Sequence, residues 1–158
     1  MRRFAWLLLF WFCDPIISPA WGNITASEPQ GIVDILHNHG YDASLTHVAD
    51  GDPMIRFHFL EKSIQILFYG CNRGHNCQSL QLSTGYDLPN GISFDRINLW
   101  MRGHRWAKVY LDTDMDPYLQ YDIPTVPDGI ADKLFLVMIS SFGSSVEDFS
   151  RFINFKHN

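Results

Sequence analysis

The sequence predicts an α+β domain: an antiparallel sheet of about five to six strands packed with three helices, in the order α-β-β-β-β-α-β-β-α. Three observations carry this. Apolar residues alternate with polar ones in several short runs, the period of a half-buried strand. Three other segments repeat their apolar residues at helical spacing. The turns between consecutive strands are too short for helical crossovers, which argues for an antiparallel meander.

Taken in order, the chain opens with Arg2 and Arg3 and an unbroken apolar run from Phe4 to Cys13. Ser18-Pro19-Ala20 and Ala20-Trp21-Gly22 then offer small residues at the positions a signal peptidase reads. Residues 1–22 are therefore expected to be a signal peptide cut near residue 20 or 22, sending the rest to the periplasm or outside the cell. The run is about ten residues, short of the roughly 20 needed to span a bilayer. An uncleaved anchor reaching Trp21 is the alternative. Asn23–Ala26 reads as a polar linker. Ser27 and Gln30 sit at the two positions of a capping box, with Pro29 in the first turn. Ile32, Ile35, Leu36 and His39 give helical spacing up to Gly40.

Strands follow at Tyr41–Leu45, at Ile55, Phe57 and Phe59, at Ile64, Ile66 and Phe68, and at Leu80, Leu82 and Thr84. Asp50-Gly-Asp-Pro53 supplies the first turn and Glu61-Lys-Ser63 the second. Ser93 is placed to cap a second helix with an apolar stripe of Phe94, Ile97, Trp100 and Met101, ended by Gly103. Val109 and Leu111, a turn at Asp114-Met-Asp-Pro117, and Leu119, Tyr121 and Ile123 form a second hairpin. After a break at 124–129, Leu134, Met138, Phe142, Phe149 and Phe152 suit a long helix, with Gly143 as a point where it can break. The two helix–strand–turn–strand stretches echo each other about 64 residues apart. Turn composition alone also produces such an echo.

Charge and composition narrow the function. The chain carries 12 basic and 17 acidic side chains, and losing the leader makes the balance about one unit more negative. That disfavours nucleic acid, whose phosphates attract a basic face, and disfavours an anionic lipid surface. Aromatic residues at 15% and apolar residues at 46% provide for a packed core. Removing the leader removes Cys13 and leaves Cys71 and Cys77, a pair suited to one short disulfide in an oxidising compartment.

Several segments resemble one family. Pro53-Met-Ile-Arg56, Phe68-Tyr-Gly-Cys71, Arg96-Ile-Asn98, Trp100, Arg105-Trp-Ala-Lys-Val-Tyr-Leu-Asp112 and Asp116-Pro-Tyr-Leu119 are similar to the YbjN family of bacterial sensory transduction regulators, over about residues 27–155. The resemblance implies a fold like that of type III secretion chaperones and a regulatory or chaperone-like role without known catalysis. It supplies no active site, so no catalytic residue is carried over. Met101 stands where the family pattern favours a polar residue.

The residues themselves offer little chemistry. His75 between Cys71 and Cys77 makes a three-ligand zinc set conceivable, but a fourth ligand is missing and the disulfide is the better reading. Asp112, Asp114 and Asp116 begin like a calcium loop, yet Pro117 and Ile123 replace the required Gly and Glu. No metal, cofactor or catalytic residue is expected. The stronger signal is aromatic: Trp100, Trp106, Tyr110, Tyr118 and Tyr121, with Arg105 beside them, are of the kinds that anchor interfaces. Core filling is the bland alternative for them. Leu67 and Tyr69, on the polar side of their strand, suggest that this side is covered by a helix, a second copy or a client. The expected function is thus a non-enzymatic, exported module that binds a protein or peptide, with a homodimer as one arrangement. A small-ligand sensor or enzyme using a pocket beside the sheet, and a structural envelope protein, are the alternatives.

Overall fold

The computed structural model describes residues 23–155. The expected leader at 1–22 lies outside the described residues. In chain order the elements are β1 (Asn23–Ile24), α1 (Pro29–Asn38), β2 (Ala43–His47), β3 (Pro53–Phe59), β4 (Lys62–Tyr69), β5 (Ser79–Gly85), α2 (Phe94–Met101), β6 (Lys108–Leu111), β7 (Pro117–Pro124), β8 (Ile130–Ala131) and α3 (Asp132–Phe152). Six strands form one antiparallel sheet in the order β2-β3-β4-β5-β7-β6, and β1 pairs with β8 in a small second sheet. The α+β class read from the sequence is the class observed.

One face of the six-stranded sheet makes the core. Ile55, Phe57, Ile64, Ile66, Leu80, Leu82, Leu119 and Ile123 point the same way and are buried. They share one apolar cluster with Ile32 and Leu36 of α1, Ile97 and Trp100 of α2, and Phe135, Phe142 and Phe149 of α3. Each fully buried side chain of this size contributes about 1.5–3 kcal/mol. Tyr86, just past β5, ties α3 to the sheet: its hydroxyl donates to the Val146 carbonyl at 3.1 Å, and burial pushes the phenol up to about 12.

The structure departs from the sequence reading in several places. Asn23–Ala26 is not a linker: Ile24 and Ala26 are buried, and the Ala26 amide donates to Thr125 Oγ1 at 3.1 Å. Ser27 does not cap α1. Glu28 is the N-cap and makes no side-chain bond, while the Ser27 hydroxyl meets that of Thr25. Pro29 takes the first helical position, where its missing N–H costs nothing. Phe94 leaves the apolar stripe, 69% exposed, because it directly follows the cap residue Ser93, whose hydroxyl accepts the Arg96 amide. Finally, α3 runs unbroken through Gly143. The absent side chain there makes room for the ring of Phe59, which a Cβ would strike.

The 64-residue echo has a structural counterpart. In the first hairpin the Val48 amide donates to Asp52 O and the Gly51 amide to Val48 O. In the second, the Asp112 amide donates to Asp116 O and the Met115 amide to Asp112 O, the same bonds displaced by 64 positions. Gly51 and Met115 both have positive φ, 92° and 63°. The two α-β-β units lie at opposite ends of the sheet, with β2 and β6 as its edges.

Candidate functional site

The side chains expected to form one aromatic surface are sorted by the pleat and by helix phase into three groups. Trp100 is core. Three residues after Ile97 on α2, it faces the sheet, is 2% exposed, packs edge-on against Phe149 and stacks on His104 at 4.0 Å. Its indole N–H has no hydrogen-bond partner. As folded, it offers nothing to a partner.

The second group sits where α2 gives way to β6. Trp106 is 51% exposed, with the Arg105 guanidinium 5.1 Å from its ring and Tyr121 edge-on at 6.3 Å. Tyr121 pairs with Leu82 across the β7–β5 ladder, so it points to the helix side of the sheet. Met101, Lys108 and Gln120 complete a recess of about 330 Å³.

The third group lies on the other side of the sheet. Tyr110 and Tyr118 are directly opposed on β6 and β7, and their rings stack at 5.1 Å and 12°. Gly85 on β5 pairs with Tyr118, and a Cβ there would come within 2.7 Å of the tyrosine ring. The glycine therefore lets the ring lie flat along the sheet. Tyr110 stays 45% exposed. Partial burial raises its phenol pKa, helped by Tyr118, Asp112 and Tyr69 nearby.

Beside these rings a polar chain crosses four strands. The Tyr69 hydroxyl donates to Gln81 Oε1 at 3.3 Å, Gln81 Nε2 donates to Asp122 Oδ1 at 2.6 Å, and Lys108 Nζ meets Asp122 Oδ2 at 2.6 Å. Partial burial works to raise the Asp122 pKa, but the bonds from Lys108 and Gln81 and the lysine charge outweigh it and hold the carboxyl below its ordinary value. The ion pair is exposed on both partners and is worth less than about 1 kcal/mol. Its use is to fix the orientation of Gln81, which is buried in the middle of the face.

This face also carries Met54, Arg56, Gln65 and Leu67, and none of them belongs to the apolar core cluster. Among the described residues, no helix covers it. Of the coverings expected from Leu67 and Tyr69, a helix is therefore ruled out within residues 23–155. Gln81, Lys108 and Asp122 were not singled out in the sequence. Their signal is register, which a single strand does not reveal.

Other candidates resolve into structure. Cys71 and Cys77 are joined as a disulfide that closes the β4–β5 loop, so both sulfurs are already used. Among the described residues no cluster of three His, Cys, Asp or Glu is placed to hold a metal. Asp112 Oδ1 accepts the amides of Asp114 and Asp116, and Asp116 Oδ1 accepts that of Leu88. These are turn bonds. At the far end of the open face, a polar recess of about 380 Å³ is lined by Lys62, Gln65, Asp87, Asp116 and Tyr118. The Lys62 ammonium lies 3.8 Å from the Tyr86 ring centre and 4.3 Å from that of Phe155. Burial lowers its pKa to about 8.

The fold and this geometry define a two-layer α+β domain with one face packed under helices and the other free of them among the described residues. Residues 28–155 match the YbjN family model, described as "Putative bacterial sensory transduction regulator". The chain belongs to that family, whose description is regulatory. No curated protein matches it at a significant level.

Proposed function

We propose that this chain is an exported, non-enzymatic regulator that works by contact, holding a protein or peptide partner on the open face of its sheet. One observation carries the reading: the stacked pair Tyr110–Tyr118 lies flat on a face free of helices among the described residues, next to the oriented chain Tyr69–Gln81–Asp122–Lys108. Tyrosines and a fixed polar group supply apolar burial and directional bonds together, the mixture found at interface hot spots. Export is supported by the leader-like start of the sequence and by the Cys71–Cys77 disulfide, which persists in oxidising compartments.

The test is capture of partners from the native envelope fraction by wild type, by Tyr110→Ala/Tyr118→Ala and by Arg105→Ala/Trp106→Ala. Loss of two hot-spot tyrosines is expected to weaken capture by more than about tenfold. The Arg105/Trp106 variant is expected to retain it. A folded tyrosine variant that captures as well as wild type overturns the reading. Mass spectrometry of native material is expected to find the N-terminus after residue 20 or 22 and no free thiol at Cys71 or Cys77.

A second reading, a small ligand in the recess beside Lys62, is favoured by that half-buried ammonium, which makes no ion pair among the described residues. It predicts a loss of response on Lys62→Met with partner capture unchanged.

A further inference from the structure

Lys62 carries a cation that the fold leaves without an acceptor. The residue is half-buried at the start of β4, and its ammonium lies over the rings of Tyr86 and Phe155. Its side chain makes no hydrogen bond or ion pair among the described residues. An ammonium has three N–H donors and no acceptor of its own. Taking it partly out of water without a lone pair to meet those donors costs free energy. The rings fix where the charge sits without using its hydrogens. With a pKa of about 8, the group is still mostly charged at neutral pH.

The recess that Lys62 borders holds the opposite sign as well. Its volume of about 380 Å³ lies within the range of small-molecule sites. Asp87 and Asp116 share its lining with Lys62. Asp116 is held in place, because its Oδ1 accepts the Leu88 amide at 2.8 Å. Asp87 stands exposed. Between them lie Gln65 and Tyr118, whose side chains make no hydrogen bond among the described residues. One ammonium and two carboxylates in one small space select the ligand by charge. A phosphate or other dianion meets two like charges, and a simple cation meets Lys62. A molecule carrying one charge of each sign, a short distance apart, satisfies both ends.

We infer that this recess binds a small zwitterion of the free α-amino acid class, its carboxylate toward Lys62 and its ammonium toward Asp87 and Asp116. Gln65 and Tyr118 supply neutral hydrogen-bonding groups between the two ends. The inference rests on the second reading above, a small ligand beside Lys62, and gives that ligand its chemistry.

The experiment is calorimetry and side-chain NMR on protein expressed from the full-length sequence. The probes are the common L-amino acids, their amides, their N-acetyl derivatives and inorganic phosphate. At least one free amino acid is expected to shift the Lys62 Cε and Gln65 side-chain signals to saturation. Its amide, which lacks the carboxylate, and its N-acetyl derivative, which lacks the ammonium, are each expected to bind more than about tenfold more weakly. Lys62→Met is expected to erase the preference over the amide, and Asp87→Asn the preference over the N-acetyl derivative. Should a variant fail to fold, the comparison of probes on wild type decides. An amide or N-acetyl derivative that binds as tightly as the free amino acid overturns the inference. Phosphate that shifts Lys62 where no amino acid does overturns it too, and leaves a ligand site beside Lys62 standing. Lys62 signals unmoved by every probe overturn both the inference and the reading beneath it.

Discussion

The two α-β-β units share a backbone and differ in surface. Each runs from a helix through a hairpin whose turn makes the same hydrogen bonds 64 positions apart. Each buries its helix in the common core, through Ile32 and Leu36 in one and Ile97 and Trp100 in the other. The first unit ends the sheet with a bare, uncharged edge. The second carries the stacked tyrosines, the exposed Trp106 and the Lys108–Asp122 pair. One scaffold thus ends in a bare strand edge on one side and in exposed aromatic and charged side chains on the other. The fold alone does not state a function, and what separates the two hairpins is their side chains.

The largest effect separates core from surface within the second unit. Trp100→Ala is expected to cost about 3–5 kcal/mol in denaturant unfolding, as for other large core truncations. Trp106→Ala, only six residues on and half exposed, is expected to cost under about 1 kcal/mol. Equal losses would show that Trp106 is core as well.

A smaller effect compares the two turns at equivalent positions. Gly51 and Met115 both occupy the left-handed region, which costs a residue with a side chain roughly 1–2 kcal/mol. Gly51→Ala should therefore destabilise by about 1 kcal/mol in chemical denaturation. Met115→Gly should gain less than that, because Met115 packs over Gly91 and loses this contact. If both substitutions change stability by the same amount with the same sign, the turns are not equivalent.

The smallest effect lies at Lys62, where the two units cease to match. β3 turns at once into β4, whereas β7 leads through 124–129 into β8 and α3. Burial lowers the Lys62 pKa from 10.5 to about 8, so between these values the unfolded chain binds more protons. Stability from this group is lowest below pH 8 and rises as pH approaches 10.5. Lys62→Met is expected to be more stable than wild type at pH 7, with the gap narrowing across that window in thermal melts. A constant gap would assign the difference to packing.

Much of this was legible in the sequence because long periodic segments declare themselves. The hairpins follow from period-2 alternation, α2 from the Ser93 cap and α3 from its apolar stripe. β1 and β8, at two residues each, are too short to show any period. The candidate surface was misassembled for a reason the sequence already contained. The same stripe that joins Trp100 to Ile97 sends it into the core. Tyr118 and Tyr121, three apart on a strand, must point to opposite faces. Grouping by nearness in sequence hid both facts. The Tyr69–Gln81–Asp122–Lys108 chain was out of reach, because four strands meet there in a register fixed only by the folded sheet.

In the function proposed for this chain, the partner sits on the open face of the sheet. The most direct test of this is backbone amide shift mapping on isotope-labelled protein titrated with the captured partner. Shifts are expected to gather at Tyr69, Gln81, Tyr110, Tyr118 and Asp122, with α1 and α3 unmoved. Shifts gathered on the outer surfaces of the helices, with those five positions silent, would contradict it.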